Sequence, residues 1–372
     1  MRIAIVRRAL GASFSMDVYA DGLISGLRQA RPRWDIVEII PSFSEYQGSA
    51  LSRLGKYYRR YRQFPRQVRR RTDVDLFHIV DHSDGHLCYA LGRTQRPVVV
   101  TCHDLINYIQ PENIRTQTSM PLVSTWVWRY AVQGIAQADH IITVSDHTAK
   151  DVMATFGVEP ARLTTAPNGV DSAFRPLPPK AIAAARSRYH LAPDTLCLLN
   201  VGSNHPRKNM VAVLKALAVL RQQSLPVHLL KAGANFTDEQ KNYLHQQNLT
   251  DCVAYVGKPN QTELVELYNA ANVLLAPSLY EGFGITPLEA MACGTPVIAS
   301  NATALPEAVG DAGVLVAPND IEGMAANVVR LANDRCFREN LIEKGLTRAS
   351  QMSWVRSADI VAAAYERLTP AT

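Results

Sequence analysis

Glu281 and Glu289 stand eight residues apart around the glycine-rich turn of "EGFGITPLE". Carboxylates suit vicinal diols, because their oxygens accept from two hydroxyls at once. Gly282 and Gly284 flank Phe283 and let a ligand approach the backbone closely. The amides from Gly282 to Ile285 lie where a helix begins, and a helix N-terminus attracts oxygen anions. A ligand carrying phosphates and two sets of hydroxyls would use every part of this loop. Glu289 alone has a plainer reading. Thr286, Pro287 and Glu289 form the pattern of a capping box, with Thr286 as N-cap and Gly294 closing the helix. That reading leaves Glu281 and Phe283 without a purpose.

A second cluster is "NVGSNHPRKNM", in which Gly202 and Ser203 leave a strand and Arg207 and Lys208 sit at the start of a helix. Cations there oppose the helix dipole, so stability alone would not place them. A diphosphate held between them and the helix end would reverse the penalty; the bland alternative is a solvated basic turn. "VVVTCHDLI" puts His103 and Asp104 beyond another buried strand, as structural groups or as groups facing a ligand. In "RRALGASFSMDVYADGL", Gly11 could admit a phosphate or an acceptor. No DxD-like pair follows a strand, so no metal site is assigned. The cysteines Cys88, Cys102, Cys197, Cys252, Cys293 and Cys336 stand far apart without a CxxC pair, which predicts buried free thiols rather than disulfides or zinc ligands.

The elements that position these groups are legible. In the first half, β-branched runs read as strands: "RIAIV", "DIVEII", "DLFHIV", "PVVVTC", "HIITVS" and "RLTTAP". In the second they are "TLCLLNV", "VHLLKA", "CVAYVG", "NVLLAP", "TPVIAS" and "GVLVAP". Amphipathic helical stretches separate them, so the sheets should be parallel and covered on both faces. A chain of 372 residues exceeds what one core serves, which gives an α/β protein of two doubly wound, Rossmann-like domains. Their expected bounds are residues 1–173 and 191–352, joined by a linker over 174–190 that begins with the proline-rich "FRPLPPK". Residues 353–372 hold a last helix with no strand after it. Ligands of open parallel sheets bind beyond the carboxyl ends of strands, so a site in a central cleft is expected.

Composition sets further bounds. With 47% hydrophobic and 19% charged residues the chain is globular rather than disordered. Its longest apolar runs are too short to span a bilayer, and "MRIAIVRRAL" lacks a signal-peptide pattern, so a cytoplasmic location is expected. A net charge of +6 suggests anionic partners.

With these motifs in place, the chain resembles the retaining glycosyltransferases of family 4 (GT4), which have the GT-B fold. The resemblance rests on E-x7-E in "EGFGITPLE", "AMACGTPVIAS", the upstream "RKN" and "PNGVD" from Pro167 to Asp171. It is strongest from Val201 to Pro318 and covers nearly the whole chain. It implies that the last helix crosses back to the N-terminal domain. It implies retaining transfer of a hexosyl group from a nucleoside-diphosphate sugar, GDP-mannose first, to a glycan or lipid-linked acceptor. No cofactor and no metal would be needed. Carried over, Glu281 binds donor-hexose hydroxyls with the amides of Phe283 and Gly284, and His103 contacts the donor sugar. Glu289 holds the ribose, Gly202 and Ile285 also bind the nucleotide, and Arg207 and Lys208 neutralise the diphosphate. Gly11-Ala12 departs from the Gly-Gly pair of many relatives, which weakens the phosphate contact from that loop.

Two rival readings are a catalytically silent nucleotide-sugar-binding protein and a GT-B epimerase or phosphorylase. The first conflicts with the intact charged set, and the second needs acid–base groups or a lysine-anchored pyridoxal phosphate that no motif supplies. "LSRLGKYYRRYRQFPRQVRRR", Leu51 to Arg71, carries nine Lys or Arg among aromatic residues. Leu51, Leu54, Tyr58 and Tyr61 fall on one helical face, the pattern of a helix drawn to an anionic membrane surface or of a docked surface helix. No nucleic-acid recognition module accompanies the charge.

Overall fold

The computed structural model describes residues 1–41, 55, 57–110 and 122–369. The chain divides into two compact units, one of Met1–Gly169 with Ser353–Thr372, the other of Val170–Met352. All twelve expected strands form. The first unit holds β1 (Arg2–Val6), β2 (Asp35–Ile39), β3 (Leu76–Ile79), β4 (Val98–Cys102), β5 (His140–Thr143) and β6 (Leu163–Thr165). Its sheet order is β2-β1-β3-β4-β5-β6. The second holds β7 (Leu196–Gly202), β8 (Val227–Gly233), β9 (Val253–Tyr255), β10 (Val273–Ala276), β11 (Val297–Ser300) and β12 (Val314–Val316), in the order β12-β11-β10-β7-β8-β9. Every strand pairing among the described residues is parallel.

These strands are apolar on both faces because helices cover both faces. All five residues of β4 are buried, and Leu198, Leu214, Leu217, Leu229 and Met324 share the core of the second unit. The strand order reverses between β1 and β3 in the first sheet and between β7 and β10 in the second. At such a switch point the adjoining loops run to opposite sides and leave a crevice for a ligand. The loops after β7 and β10 carry Arg207, Lys208 and Glu281. Topology therefore brings together residues more than seventy positions apart.

The strandless last helix, Trp354–Leu368, belongs to the first unit and packs on the helix Phe14–Ala30. Arg31 donates to Asp359 and to Glu366, both at 2.7 Å. The Tyr365 hydroxyl meets His78 Nδ1, and His78 Nε2 meets Thr101 Oγ1 at 2.7 Å. Burial holds His78 neutral, down at about 3. A polar thread thus passes from the last helix into the sheet.

One expectation changes. The stretch read as a linker carries a helix, Pro179–Arg188, within the second unit. Its prolines start that helix: Pro178 is the N-cap and Pro179 the first helical residue, where a missing N–H costs nothing. In the basic stretch, Leu51 and Leu54 lie outside the described residues. Among those described, Phe64, Pro65 and Val68 form the docked face, while Tyr58 is 58% exposed. Tyr61 is half-buried, its ring centroid 4.5 Å from that of His86. Five cysteines are buried as expected, and Cys336 is exposed. No helix among the described residues is long and apolar enough to cross a membrane.

The close approach of the two helices gives a test. Gly-to-Ala inside a helix normally stabilises by about 1 kcal/mol. At Gly26, however, a Cβ would lie 2.3 Å from the Trp354 carbonyl oxygen and 2.7 Å from Ala358 Cβ. Overpacking should win, so Gly26→Ala is expected to lower stability by about 1–3 kcal/mol in urea unfolding. A stabilised variant would show that the last helix is not seated there.

Candidate active site

In the second unit, β7 runs into a short turn of 3-10 helix, Pro206–Lys208, and then into the helix Met210–Gln222. Asn209 joins them in the left-handed region, with φ of 53°. Its side-chain amide donates to Pro277 O at 3.1 Å and to Pro318 O at 2.8 Å. Leu279 N–H donates to Arg207 O at 2.7 Å, and Arg207 Nη1 donates to Tyr280 O at 3.0 Å. The loops after β7 and β10 are stitched together by one backbone bond and by the side chains of Asn209 and Arg207.

On this frame sit three charges. Lys208 Nζ donates to Glu281 Oε1 at 2.5 Å, and Arg207 Nη1 to Glu281 Oε2 at 2.7 Å. Ser278 Oγ adds a bond to Oε1 at 2.7 Å, and the Glu281 N–H donates to Thr303 Oγ1 at 2.9 Å. Burial alone would push the Glu281 carboxyl up. The Lys208 and Arg207 charges outweigh it, with hydrogen bonds from Lys208 and Ser278, and hold the group at about 2. One anion shared by two cations leaves a surplus positive charge, which suits an incoming anion. Arg207, Lys208 and Glu281 are thus brought together.

Glu289 is not part of that triad, and the capping box does not form. The helix runs from Ile285 to Ala292, with Gly284 as N-cap and no side-chain cap. Gly284 has φ of +109°, and a Cβ there would lie 2.8 Å from Leu305, so only glycine fits. This turn starts the helix ahead of Thr286 and carries Glu289 past the first turn. Its carboxylate instead accepts from the Tyr268 hydroxyl at 2.8 Å. Burial, with Asp171 nearby, pushes Glu289 up to about 7 despite the Tyr268 bond. Phe283 is buried beside Gly284, and Ile285 opens the helix with its side chain half-buried. The two glutamates therefore differ in kind: one is locked as an anion, the other titrates near neutrality.

In the first unit, His103 follows β4 and is buried. Its Nε2 lies 2.8 Å from Val80 O, which can only accept, so Nε2 carries the hydrogen and Nδ1 is left as an acceptor. Burial lowers its pKa, and the neighbouring Asp81 opposes that. Tyr19 meets its ring edge-on, with centroids 4.5 Å apart. Asp104 beside it is half-buried. Gly11 is exposed, and its N–H donates at 2.9 Å to Asp17 in the first turn of the following helix, so that amide already has an acceptor.

Several further groups stand at or near these residues. Ser278, Thr303 and Tyr268 reach the glutamates through the fold and carry no local signal. Asn209 had one, since it follows Arg207-Lys208 directly. Asp81 was another: it is buried, accepts from Arg8 at 3.2 Å, and stands 3.7 Å from His82.

A family model described as Glycosyl transferases group 1 matches residues 183–348, and one described as Glycosyltransferase Family 4 matches residues 6–174. The O-antigen chain mannosyltransferase B of Escherichia coli is 32% identical over 239 residues, which is 63% of this chain and 62% of that protein. The MMP alpha-(1->4)-mannosyltransferase of Mycolicibacterium hassiacum is 30% identical over 314 residues, 80% of this chain and 72% of that protein. The chain spans less than two thirds of the length of the first of these, as it does of several other curated relatives. Among solved structures, Anabaena HepE in complex with UDP and glucose shares the fold, with a TM-score of 0.75 at 18% identity over 98% of each chain.

Glu289 gives a pH test. Its folded pKa of about 7 lies above the ordinary 4.5, so the unfolded chain loses this proton first and stability falls as pH rises from 4.5 to 7. Glu289→Gln keeps an acceptor for Tyr268 and removes the titration. It is expected to be more stable than wild type at pH 8, by at most about 3 kcal/mol, with the gap closing toward pH 5. Urea unfolding at both pH values measures this; a variant less stable than wild type at pH 8 contradicts it.

Proposed function

The chain belongs to the group 1 glycosyl transferases, and from that premise we propose that it transfers a hexosyl group, with retention, from a nucleoside-diphosphate sugar to a glycan or lipid-linked acceptor. The observation that carries this reading is the Glu281 carboxylate held by Lys208 and Arg207. This carboxylate stands where an anion is wanted. A diphosphate takes over the two cations, and Glu281 is released to accept from the hexose hydroxyls. Charge that grows on the departing diphosphate is met by Lys208, Arg207 and the helix start, so the leaving group needs no metal ion. Attack comes from the face that the leaving group vacates, and the leaving phosphate takes the acceptor's proton. Glu289 accepts from the ribose hydroxyls, and His103 offers Nδ1 to the donor sugar. GDP-mannose is the donor proposed, since two relatives are named mannosyltransferases. A sugar-nucleotide-binding protein without activity would bind the donor and release no free nucleoside diphosphate.

The two partners in the triad have opposite signatures. Lys208→Ala should lose nucleoside-diphosphate affinity and slow turnover by roughly tenfold to a thousandfold. Glu281→Ala frees both cations. It should bind the bare nucleoside diphosphate as tightly as wild type or more tightly, yet lose transfer. Calorimetry and a turnover assay with excess EDTA decide the matter. Loss of diphosphate binding in Glu281→Ala contradicts the exchange, and activity abolished by EDTA and restored by magnesium contradicts the metal-free site.

An anionic membrane surface is a further proposed partner. Arg59, Arg62, Arg66, Arg69 and Arg70 are exposed beside Tyr57 and Tyr58, and Trp126 is 70% exposed in the same unit. Changing Arg59, Arg62 and Arg69 to glutamine should weaken binding to anionic vesicles by roughly 1 kcal/mol per charge. Equal vesicle binding would leave these arginines as a solvated face.

A further inference from the structure

Lys231 on β8 is a charge that neither the motifs nor the fold explains. Its side chain is 0% exposed. Its ammonium donates to Gly202 O at 2.7 Å and to Ala232 O at 3.0 Å, neither of which is an anion. The strands β7, β8 and β9 and the helix Met210–Gln222 that packs on β8 contain no Asp or Glu. In register beside it stand Asn200 on β7 and Tyr255 on β9, and the Tyr255 hydroxyl donates to Gly233 O. The charge that acts on it most is Lys208, of like sign; burial first and Lys208 second push the ammonium down to about 8. Burying an ammonium without a counter-ion is costly. A methionine would fill the space without that cost.

Geometry ties this cost to the site. Lys231 holds the carbonyl of Gly202, while the Lys208 stem runs 3.6 Å from where a Cβ on Gly202 would stand. The two lysines flank one residue, at the root of the loop that presents Lys208. We propose that Lys231 is a positioning residue for the diphosphate: it braces the Gly202 carbonyl beneath Lys208, and its buried charge is compensated when the diphosphate binds. This rests on the reading that Lys208 meets the diphosphate. Binding should then draw a proton onto Lys231 above neutral pH. Glu289, already ionised there, and the phosphates would take up none.

The test titrates GDP, and separately UDP and guanosine, into wild type and Lys231→Met at about pH 8.5, in two buffers of different ionisation enthalpy, with thermal melts alongside. Wild type should take up a fraction of a proton with GDP and none with guanosine. Lys231→Met should melt at or above wild type, bind GDP roughly tenfold more weakly, and show no uptake. GDP binding equal to wild type, or proton uptake that persists in the variant, overturns the proposal. If the variant melts well below wild type, the wild-type titration decides: GDP binding without proton uptake overturns the role. Wild type that binds neither GDP nor UDP overturns the Lys208 reading itself, an outcome distinct from a failure at Lys231.

Discussion

A single buried carboxylate shared by two cations governs the second unit's site. At an effective dielectric near 20, opposite charges about 4 Å apart attract by roughly 4 kcal/mol, and desolvating each ion costs several kcal/mol in return. Such a group is worth little to stability, yet removing one partner strands the others. Glu281, Lys208 and Arg207 are therefore better understood as a site kept ready than as a brace. The brace is the stitching around them, through the Asn209 amide and the Leu279 N–H. The Asn209 and Leu279 bonds are neutral, so the loops stay joined while the charges exchange partners.

That division follows from the parallel sheet. Its switch point delivers two loops side by side, and helix starts follow each. The loop after β10 ends in Gly284, whose left-handed turn sets where the helix begins and so which way Glu289 faces. Glu289 then lies against Tyr268, buried enough to titrate near neutrality. Two carboxylates from one motif acquire opposite protonation behaviour from their surroundings alone. In the first unit the comparable device is neutral. His78, Thr101 and Tyr365 join the last helix to the sheet through uncharged hydrogen bonds.

Much of this was legible in the sequence, for definite reasons. Strands buried on both faces are runs of Val, Ile and Leu, so all twelve could be read. Arg207, Lys208 and Glu281 stood out because charge and glycine at strand ends serve no packing purpose. What stayed hidden depends on contacts across the chain. That Glu281 is bound by Lys208 rather than free is a relation over 73 residues, which no local pattern records. The capping box failed because Gly284 took the N-cap before Thr286 could, a backbone decision that composition does not show. The prolines near 178 have the composition of a linker, yet they begin a helix. Lys231 did carry a signal, a lone charge in "VHLLKAG", but the partners that give it meaning come from β7.

The central claim is that a diphosphate displaces Glu281 from Lys208 and Arg207. A crystal structure with a nucleoside diphosphate tests it most directly. The account predicts a phosphate oxygen about 2.7–2.9 Å from Lys208 Nζ, with the Glu281 carboxylate no longer bonded to that nitrogen. Nucleotide bound with the Lys208–Glu281 pair intact and no phosphate at either cation would contradict it.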